Sequence, residues 1–566
     1  MQVEQMSPEY SSLSENANKK SKWKRDEIAG KIVDFEQARR EQSQRQFAQE
    51  QGVSRTTLQY WLKRKDSIDV NPQVKDFFES PEGLACLHKI VTAAHFVFTK
   101  DGVASVHNVS RFIELSGIGQ FVGASYSTHQ RASVKMDNLI IEFEANERAK
   151  LVENMPNKAI TLTEDETFHP QICMVAIEPV SNFIMAEKYV QNRDGKSWEQ
   201  VVSNGMSDLK EKVKIIQLVS DEGRALINHA SKSLKVHHSS DCFHVAYEVG
   251  KGSSGALVSA VRAAQKEYDA AVEQTKIQES KKQNYDEKSK NFVGCRPGFE
   301  EKIEQAKQAE NQAKLTLEIA MKNQEQVMQA KAQIGQIYHP YDPQTGKEQD
   351  DQTISQRLES CFDSIDKATQ SLSDRCKKRI QKAHRVVDKM TVTIRFFFCM
   401  IDIYLHNMNL SKLEQSLMHE YLIPGFYLQQ VARKEKDTQS KSAITAKSQE
   451  LLSILTVENG LFSNYSADQI KKLEKAALEC AQIFQRSSSC VEGRNAQLSL
   501  RHHGIHRLSD HCLKAQTIMH NFDARNKDET TPAERFFEAK HGDLFEWILE
   551  KMEYPVRPRN HLRKAA

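Results

Sequence analysis

Asp165 stands inside an apolar run, Ile160-Thr-Leu-Thr-Glu-Asp165-Glu-Thr-Phe-His169, and Asp221 closes a second one, Val213-Lys-Ile-Ile-Gln-Leu-Val219-Ser-Asp221. Two carboxylates carried at adjacent strand positions, with no obvious positive partner, are costly to ionise together. A divalent cation held between them removes that cost, because hard cations take carboxylate oxygens as ligands. Either aspartate alone is an ordinary solvated strand end; together, in the order β-β-β-α-β, they favour a metal site.

The elements that must position this pair follow from hydrophobic periodicity. Two more apolar runs, Ile172–Ile177 and Phe183–Val190, come at once after the first, each closed by turn residues (Glu178-Pro-Val-Ser-Asn182 and Gln191-Asn-Arg-Asp-Gly195). Short runs bounded in this way predict three antiparallel strands. The spacing of Trp198, Val201, Val202, Met206 and Leu209 predicts a crossover helix. Such a crossover lays the fourth strand, Val213–Val219, beside the first and makes Asp165 and Asp221 neighbours. Glu166 alternates to the other face of its strand and is not expected to be a ligand. Beyond Asp221 a helix (Ala225, Leu226, His229, Ala230) precedes a fifth strand that enters a helix over Leu234–Val249 and carries Asp241 and His244. Gly250-Lys-Gly-Ser-Ser-Gly255 reads as a flexible joint, since it has the residue order of neither phosphate-binding loop.

The 566 residues exceed what one core accommodates and imply several domains. Hydrophobic residues make up 39%, charged residues 27%, and the mean hydropathy is −0.62. Net charge is only +3, with a pI near 8.2, so affinity for nucleic acid must come from local basic patches. Ten cysteines are scattered without a CxxC pair, which fits reduced thiols and argues against a zinc finger or a disulfide scaffold. The first residues lack a signal-peptide pattern, and the greasiest run, Ile394–Leu405, is too short to span a bilayer and contains Arg395 and Asp402. A cytoplasmic, nucleoid-associated location without membrane contact is expected.

Basic residues collect near the N-terminus: thirteen Lys or Arg against six Asp or Glu between Lys19 and Lys65. Within this stretch Ala48 permits close helix approach, Gly52 a tight turn, and Ser54 a helix cap ahead of Leu58, Trp61 and Leu62. A helix over about Asp26–Arg39 completes three, and the pattern reads as a helix-turn-helix. Its exposed side would carry Arg55, Thr56, Gln59, Lys63 and Arg64, suited to phosphates and base edges. Residues 67–155 read as a helical domain, with a second DNA-binding element over Val106–Leu139 as the alternative.

From Ala256 to Phe484 the chain is nearly all helix, with breaks at Gly294–Gly298 and His339–Gly346 that define a hairpin over 256–337. A basic face on the segment Lys377-Lys378-Arg-Ile-Gln-Lys382 is either a solvated face or a track for DNA phosphates. Then Arg486-Ser-Ser-Ser-Cys-Val-Glu492-Gly-Arg-Asn495 opens another helix with a cationic tail that begins at Arg501. A glutamate in a first helical turn ordinarily complements the helix dipole. Aromatic residues between Thr530 and Trp547 form a docking segment, followed by a basic tail.

The Ser-x-x-x-Glu-Gly-x-Asn run at 488–495 and the Asp-x-Phe-His-Val run at 241–245 resemble motifs of the DDE transposases of bacterial insertion sequences. The all-helical segment ahead of the last acid is similar to the arrangement of the hAT group. The sequence departs from that group where Cys242 and His244 are separated by one residue and preceded by Asp241. The resemblance implies a multidomain, mainly α protein with an α/β core: an N-terminal helix-turn-helix (19–66) after a disordered tail (1–18), and a ribonuclease-H-like mixed sheet (156–255 and 485–520) interrupted by a large helical insertion (256–484). Residues 521–566 would be the docking segment and basic tail.

It further implies that Asp165, Asp221 and Glu492 hold two Mg²⁺ ions, for which Mn²⁺ can substitute, about 4 Å apart. Asp241 is the alternative second acid; Asp221 is preferred because it ends the strand beside Asp165. Asp241, His244 and Asn495 would otherwise support the site. Lys377, Lys378 and Arg501 would hold phosphates. The implied activity is cleavage of double-stranded DNA at the element's terminal repeats and transfer to target DNA, by a homodimer or higher synaptic oligomer. A catalytically degenerate DNA-binding regulator, or a ribonuclease-H-like nuclease without strand transfer, are the rival readings.

Overall fold

The computed structural model describes residues 23, 25–63, 72–168, 171–288, 296–456, 460–463, 465–505 and 508–553. Among these the chain is mainly helical, with one five-stranded mixed sheet. Arg64 and the basic C-terminal tail lie outside the described residues.

The sheet comprises β1 (Lys158–Thr167), β2 (Ile172–Glu178), β3 (Phe183–Val190), β4 (Val213–Ser220) and β5 (His237–Ser240), in the order β3-β2-β1-β4-β5. β1, β2 and β3 are antiparallel; β4 pairs parallel with β1, and β5 parallel with β4. The β2–β3 turn is closed by the Glu178 carboxylate, which accepts from the backbone N–H of Val180 and Ser181, while Asn182 takes φ 66°. β1 and β4 shift register after Ile160, where the Thr161 hydroxyl donates to Gln217.

Three helices, α1 (Arg25–Ala38), α2 (Gln44–Glu50) and α3 (Arg55–Lys63), close around Ile32, Phe35, Phe47, Ala48, Leu58 and Trp61. Ser43 and Gln46 cap α2 reciprocally, Gly52 turns the chain at φ +63°, and the Ser54 hydroxyl accepts from the Thr57 N–H. A second helical cluster includes α4 (Pro81–His95) and runs through a π-helical turn, Phe96–Asp101. The long α5 (Tyr126–Asn154) then buries Met136, Leu139, Ile140 and Phe143 against the sheet core.

The crossover from β3 to β4 is α6 (Gly195–Gly205), capped by Asp194, with Trp198 fully buried. Its last residue must be small: a Cβ at Gly205 would lie 2.3 Å from the Met185 carbonyl oxygen.

After β5 the chain enters α7 (Cys242–Lys288), 47 residues without interruption, paired with α8 (Phe299–Ile337). At 1.5 Å per residue α7 is about 70 Å long. The expected joint at Gly250–Gly255 is therefore corrected: these residues are helical. Gly252 serves packing, since a Cβ there would sit 3.2 Å from the Cys376 carbonyl and 3.1 Å from the Arg379 Cβ on α9 (Asp374–His384). Close helix approach outweighs the low helix propensity of glycine.

α10 (Val387–Asn407) holds the aromatic run and covers the β5 edge. The His237 ring stacks on Phe396 at 4.2 Å and hydrogen-bonds the Thr393 hydroxyl. No helix among the described residues is long and apolar enough to cross a membrane.

The chain returns to the sheet through α11 (Ser489–Ile505), α12 (Asp510–Phe522) and α13 (Leu544–Lys551). Asn521 of α12 completes the free β3 edge, accepting from the Ile184 N–H and donating to its carbonyl. Phe183 stacks on Phe536 at 4.7 Å. One sheet face thus lies under α5, α6 and the C-terminal helices. The other is a smaller cluster in which Val175, Ile177 and Tyr189 meet Val491 and Leu498 of α11.

Candidate metal centre

The parallel strands β1, β4 and β5 deliver acidic groups at their C-terminal ends, the side of an α/β sheet where ligands ordinarily bind. Asp165 lies near the end of β1, opposite Val175 of β2. Asp221 follows the last residue of β4 and is fixed by accepting from the Gly223 N–H at 2.7 Å. Asp241 follows the last residue of β5. Its N–H reaches the Ser220 carbonyl, one carboxylate oxygen accepts from the Phe243 N–H at 2.8 Å, and the other from the Ser488 hydroxyl at 2.5 Å.

The fourth acid comes from α11. Val491 and Leu498 anchor that helix to the sheet, so Glu492 in its first turn and Asn495 one turn on face β1. The Asn495 amide donates to Asp165 at 2.9 Å.

His244, in the first turn of α7, sits among these groups. Its Nδ1 is 3.4 Å from Asp241 and 3.5 Å from Glu492, and its Nε2 is 4.0 Å from Asp221. Asp241, His244 and Glu492 each offer one ligand atom within 4.8 Å of the others. Four carboxylates meet one imidazole, and the excess negative charge shows in the titration. Burial above all, with Asp221 adding to it, pushes Asp165 up to about 6. Burial, then the charge on Asp241, pushes Glu492 up to about 7. The Asp241 carboxylate beside it raises His244 to about 9. Glu166 is pushed to about 7, first by burial and then by Asp221 and Asp165.

A site in which carboxylates resist ionisation and an imidazole resists deprotonation favours an added cation. The donor chemistry fits one: carboxylate oxygens suit Mg²⁺ and Mn²⁺, and an imidazole is compatible with Mn²⁺. The Asn495 Oδ1 and His244 Nδ1 are buried atoms without a hydrogen-bond partner.

Asp165, Asp221, Glu492, Asp241, His244 and Asn495 are thus all brought to one end of the sheet, with Asp221 and Asp241 on either side of His244. The expected DNA-contacting residues lie elsewhere. Arg55, Thr56 and Lys63 are exposed on α3, while Gln59 donates to Gln44 and ties α3 to α2. Lys378 is exposed and Lys377 half-buried on α9. Arg501 differs from expectation: its guanidinium donates to the carbonyls of Lys100, Asp101 and Gly102, fastening α11 to the end of the π-helical turn rather than standing free for phosphate.

Sequence reasoning passed over two buried pairs. Arg494, two residues past Glu492, forms a bidentate ion pair with Glu187 of β3 at 2.7 Å, joined by the Thr517 hydroxyl. Glu164, next to Asp165 but on the opposite face, accepts from His229 at 3.0 Å with both side chains fully buried. Charged residues inside otherwise apolar strands were the available signal, since such residues are buried only when paired.

A family model described as "Family of unknown function (DUF6399)" matches residues 418–564, a stretch that contains Glu492 and Asn495 but none of the strand-borne aspartates. No curated protein and no solved structure matches the chain.

Proposed function

We propose that this chain is a DNA transposase of the DDE type, with a ribonuclease-H-like core split by the helical block between β5 and α11. The observation that carries the reading is the convergence of Asp165 from β1, Asp221 from β4 and Glu492 from a helix 271 residues beyond Asp221 in the chain. Three acids from two adjacent parallel strands and a late helix suit two divalent ions. Asp165, Asp221 and Glu492 would hold Mg²⁺ or Mn²⁺, with Asp241 as the alternative to Asp221.

Bound metal would activate a water or a 3′-hydroxyl and stabilise the leaving oxygen of a phosphodiester. The chain's own part is to place its carboxylates. Asn495 orients Asp165 by donating to it, and Ser488 orients Asp241. His244 carries a proton near Asp241 and Glu492 and would balance charge there until the cation arrives. The three helices α1–α3 supply a helix-turn-helix for the terminal repeats, with Arg55, Thr56 and Lys63 outward. The basic face of α9 would hold phosphates along the flank. A dimer or larger synapse would pair the two ends.

The test is incubation of the full chain with Mg²⁺ or Mn²⁺ and DNA carrying the ends that flank its gene, with products resolved on a sequencing gel. Nicked and joined products that vanish in Asp165→Ala and Glu492→Ala support the reading. The Asp221→Ala and Asp241→Ala lanes identify the second acid. Binding of the ends without metal-dependent cleavage would show a regulator, and hydrolysis of unrelated nucleic acid without joining would show a nuclease.

A further inference from the structure

The two helices of the hairpin α7–α8 differ in what they leave in water. α8 buries Leu317, Val327 and Ala330 on its inner side. Leu315 and Ile319 stand two positions either side of Leu317, about 200° round the helix from it. Both are exposed, at 49% and 51%. Met321 and Met328 are exposed on the same helix, whereas α7 exposes no large apolar side chain beyond Tyr247. Single apolar residues on a surface are ordinary. A pair one turn apart, on the outer side of a helix whose inner side is already packed, is a second stripe.

The charges around this stripe are ordered. Lys307, Glu310, Lys314, Glu318, Lys322 and Glu325 follow one another at intervals of 3, 4, 4, 4 and 3 residues. The series is centred on Thr316: Lys314 and Glu318 are two positions from it, Glu310 and Lys322 six, Lys307 and Glu325 nine. Every lysine is thus mirrored by a glutamate. Charges alternating four residues apart ordinarily support a lone helix by pairing along it. Here Lys314, Glu318 and Lys322 form no ion pair among the described residues, and Lys307 turns to Glu279 of α7 at 3.0 Å.

A mirrored series of opposite signs matches an antiparallel copy of the same helix. A two-fold axis at Thr316 sets Lys314 of each copy opposite Glu318 of the other, and lays the two apolar pairs against each other. Lys314 and Glu318 each precede a member of the apolar pair by one residue, so they flank it on one side. A parallel pair in register would instead set every charge against its like. Three lysines against three glutamates cancel, which gives a nucleic-acid backbone or an anionic bilayer nothing to hold.

We propose that the outer side of α8 is a self-association surface, on which a second copy of this chain packs antiparallel about a two-fold axis at Thr316. The contact does not depend on what the carboxylate cluster acts on. Thr316 lies 21 residues before the end of α8, or about 30 Å, so the bases of the two hairpins stand about 60 Å apart.

Sedimentation of the full chain, without DNA or metal, reads the association. Wild type is expected to form a dimer in the micromolar range, and the double variant Leu315→Asp with Ile319→Asp to be monomeric. Glu318→Lys alone and Lys314→Glu alone each set like charges opposite one another at two symmetric places, and weaken the dimer about tenfold or more. An equimolar mixture of these two variants, one of them fluorescently labelled, restores a mixed dimer, because each supplies the sign that the other lacks. All the altered side chains are exposed, and circular dichroism verifies that the variants remain folded.

A wild type that is monomeric throughout that range overturns the proposal. So does a dimer that survives the aspartate double variant and both charge reversals, since the copies would then meet elsewhere. Reversals that weaken the dimer but are not rescued by mixing also overturn it, because the loss would lie within each helix rather than between copies.

Discussion

One helix presents two charged groups to two different environments. On α11, Arg494 enters the interior and meets Glu187 in a bidentate pair, with exposures of 4% and 0%. Burial alone would push the Glu187 carboxyl up, but Arg494 outweighs it and holds the group below the usual range. Two residues earlier, Glu492 enters a cluster where acids outnumber cations and is pushed up to about 7. Both environments are desolvated; they differ in pairing. The matched pair ties the helix to β3, and the mismatched cluster leaves its acids short of counter-charge. A buried pair of this kind secures geometry more than stability, because its Coulomb gain is offset by the loss of hydration.

Four substitutions or conditions break or sharpen that contrast. The largest effect is expected from Asp165→Asn. Metal-dependent DNA cleavage should fall by on the order of a thousandfold or more, while the thermal midpoint stays level or rises, because a carboxylate already pushed to about 6 is relieved of its charge. A matching fall in thermal midpoint would place Asp165 with the structural pairs instead.

Arg494→Ala is expected to do the reverse at the level of folding, costing about 3–5 kcal/mol by leaving Glu187 buried and unpaired. Replacing both partners, Glu187→Met with Arg494→Met, should restore most of that stability in urea denaturation. If the pair sets the register of Glu492, the double variant still binds Mn²⁺ more weakly than wild type by calorimetry.

pH should act on the cluster in a defined direction. Asp165, Glu492 and His244 all have raised values in the fold. Their contribution to metal-free stability is present at acid pH and is lost as pH rises through about 6, 7 and 9 respectively. Mn²⁺ must displace those protons, so its apparent affinity is expected to climb roughly tenfold per pH unit for each proton displaced below pH 6. Calorimetry from pH 5 to 8 measures this, and a flat profile would mean that Asp165 and Glu492 are not ligands. The smallest effect is expected at the far N-terminus. Lys63→Ala should leave stability within about 0.5 kcal/mol and lower the salt dependence of DNA binding by about one unit of slope, read by fluorescence anisotropy.

The architecture was partly legible in the sequence, for specific reasons. Short apolar runs closed by turn residues marked β1–β4, and the crossover rule placed β4 beside β1, which is the order observed. A mainly helical chain with one mixed sheet follows from that pattern and from the long helical periodicity after Ala256. The Glu187–Arg494 pair spans 307 positions, and no local pattern could join its halves. Gly250–Gly255 has the composition of a joint, but a tertiary crossing with α9 makes it helix. Arg501 has the chemistry of a phosphate ligand, yet three carbonyls at the end of a π-helical turn claim it. His244 was legible within the Asp-x-Phe-His-Val run; that it lies between Asp221, Asp241 and Glu492 depends on three elements meeting.

The uninterrupted run of α7 has a mechanical meaning. Its first turn carries His244 and forms a wall of the acidic cluster, and its other end is about 70 Å away. Gly250–Gly255 are helical, so the rod leaves the acidic cluster without a hinge at its base. His244 and the far tip thus belong to one continuous helix, with no joint between them to absorb a bend.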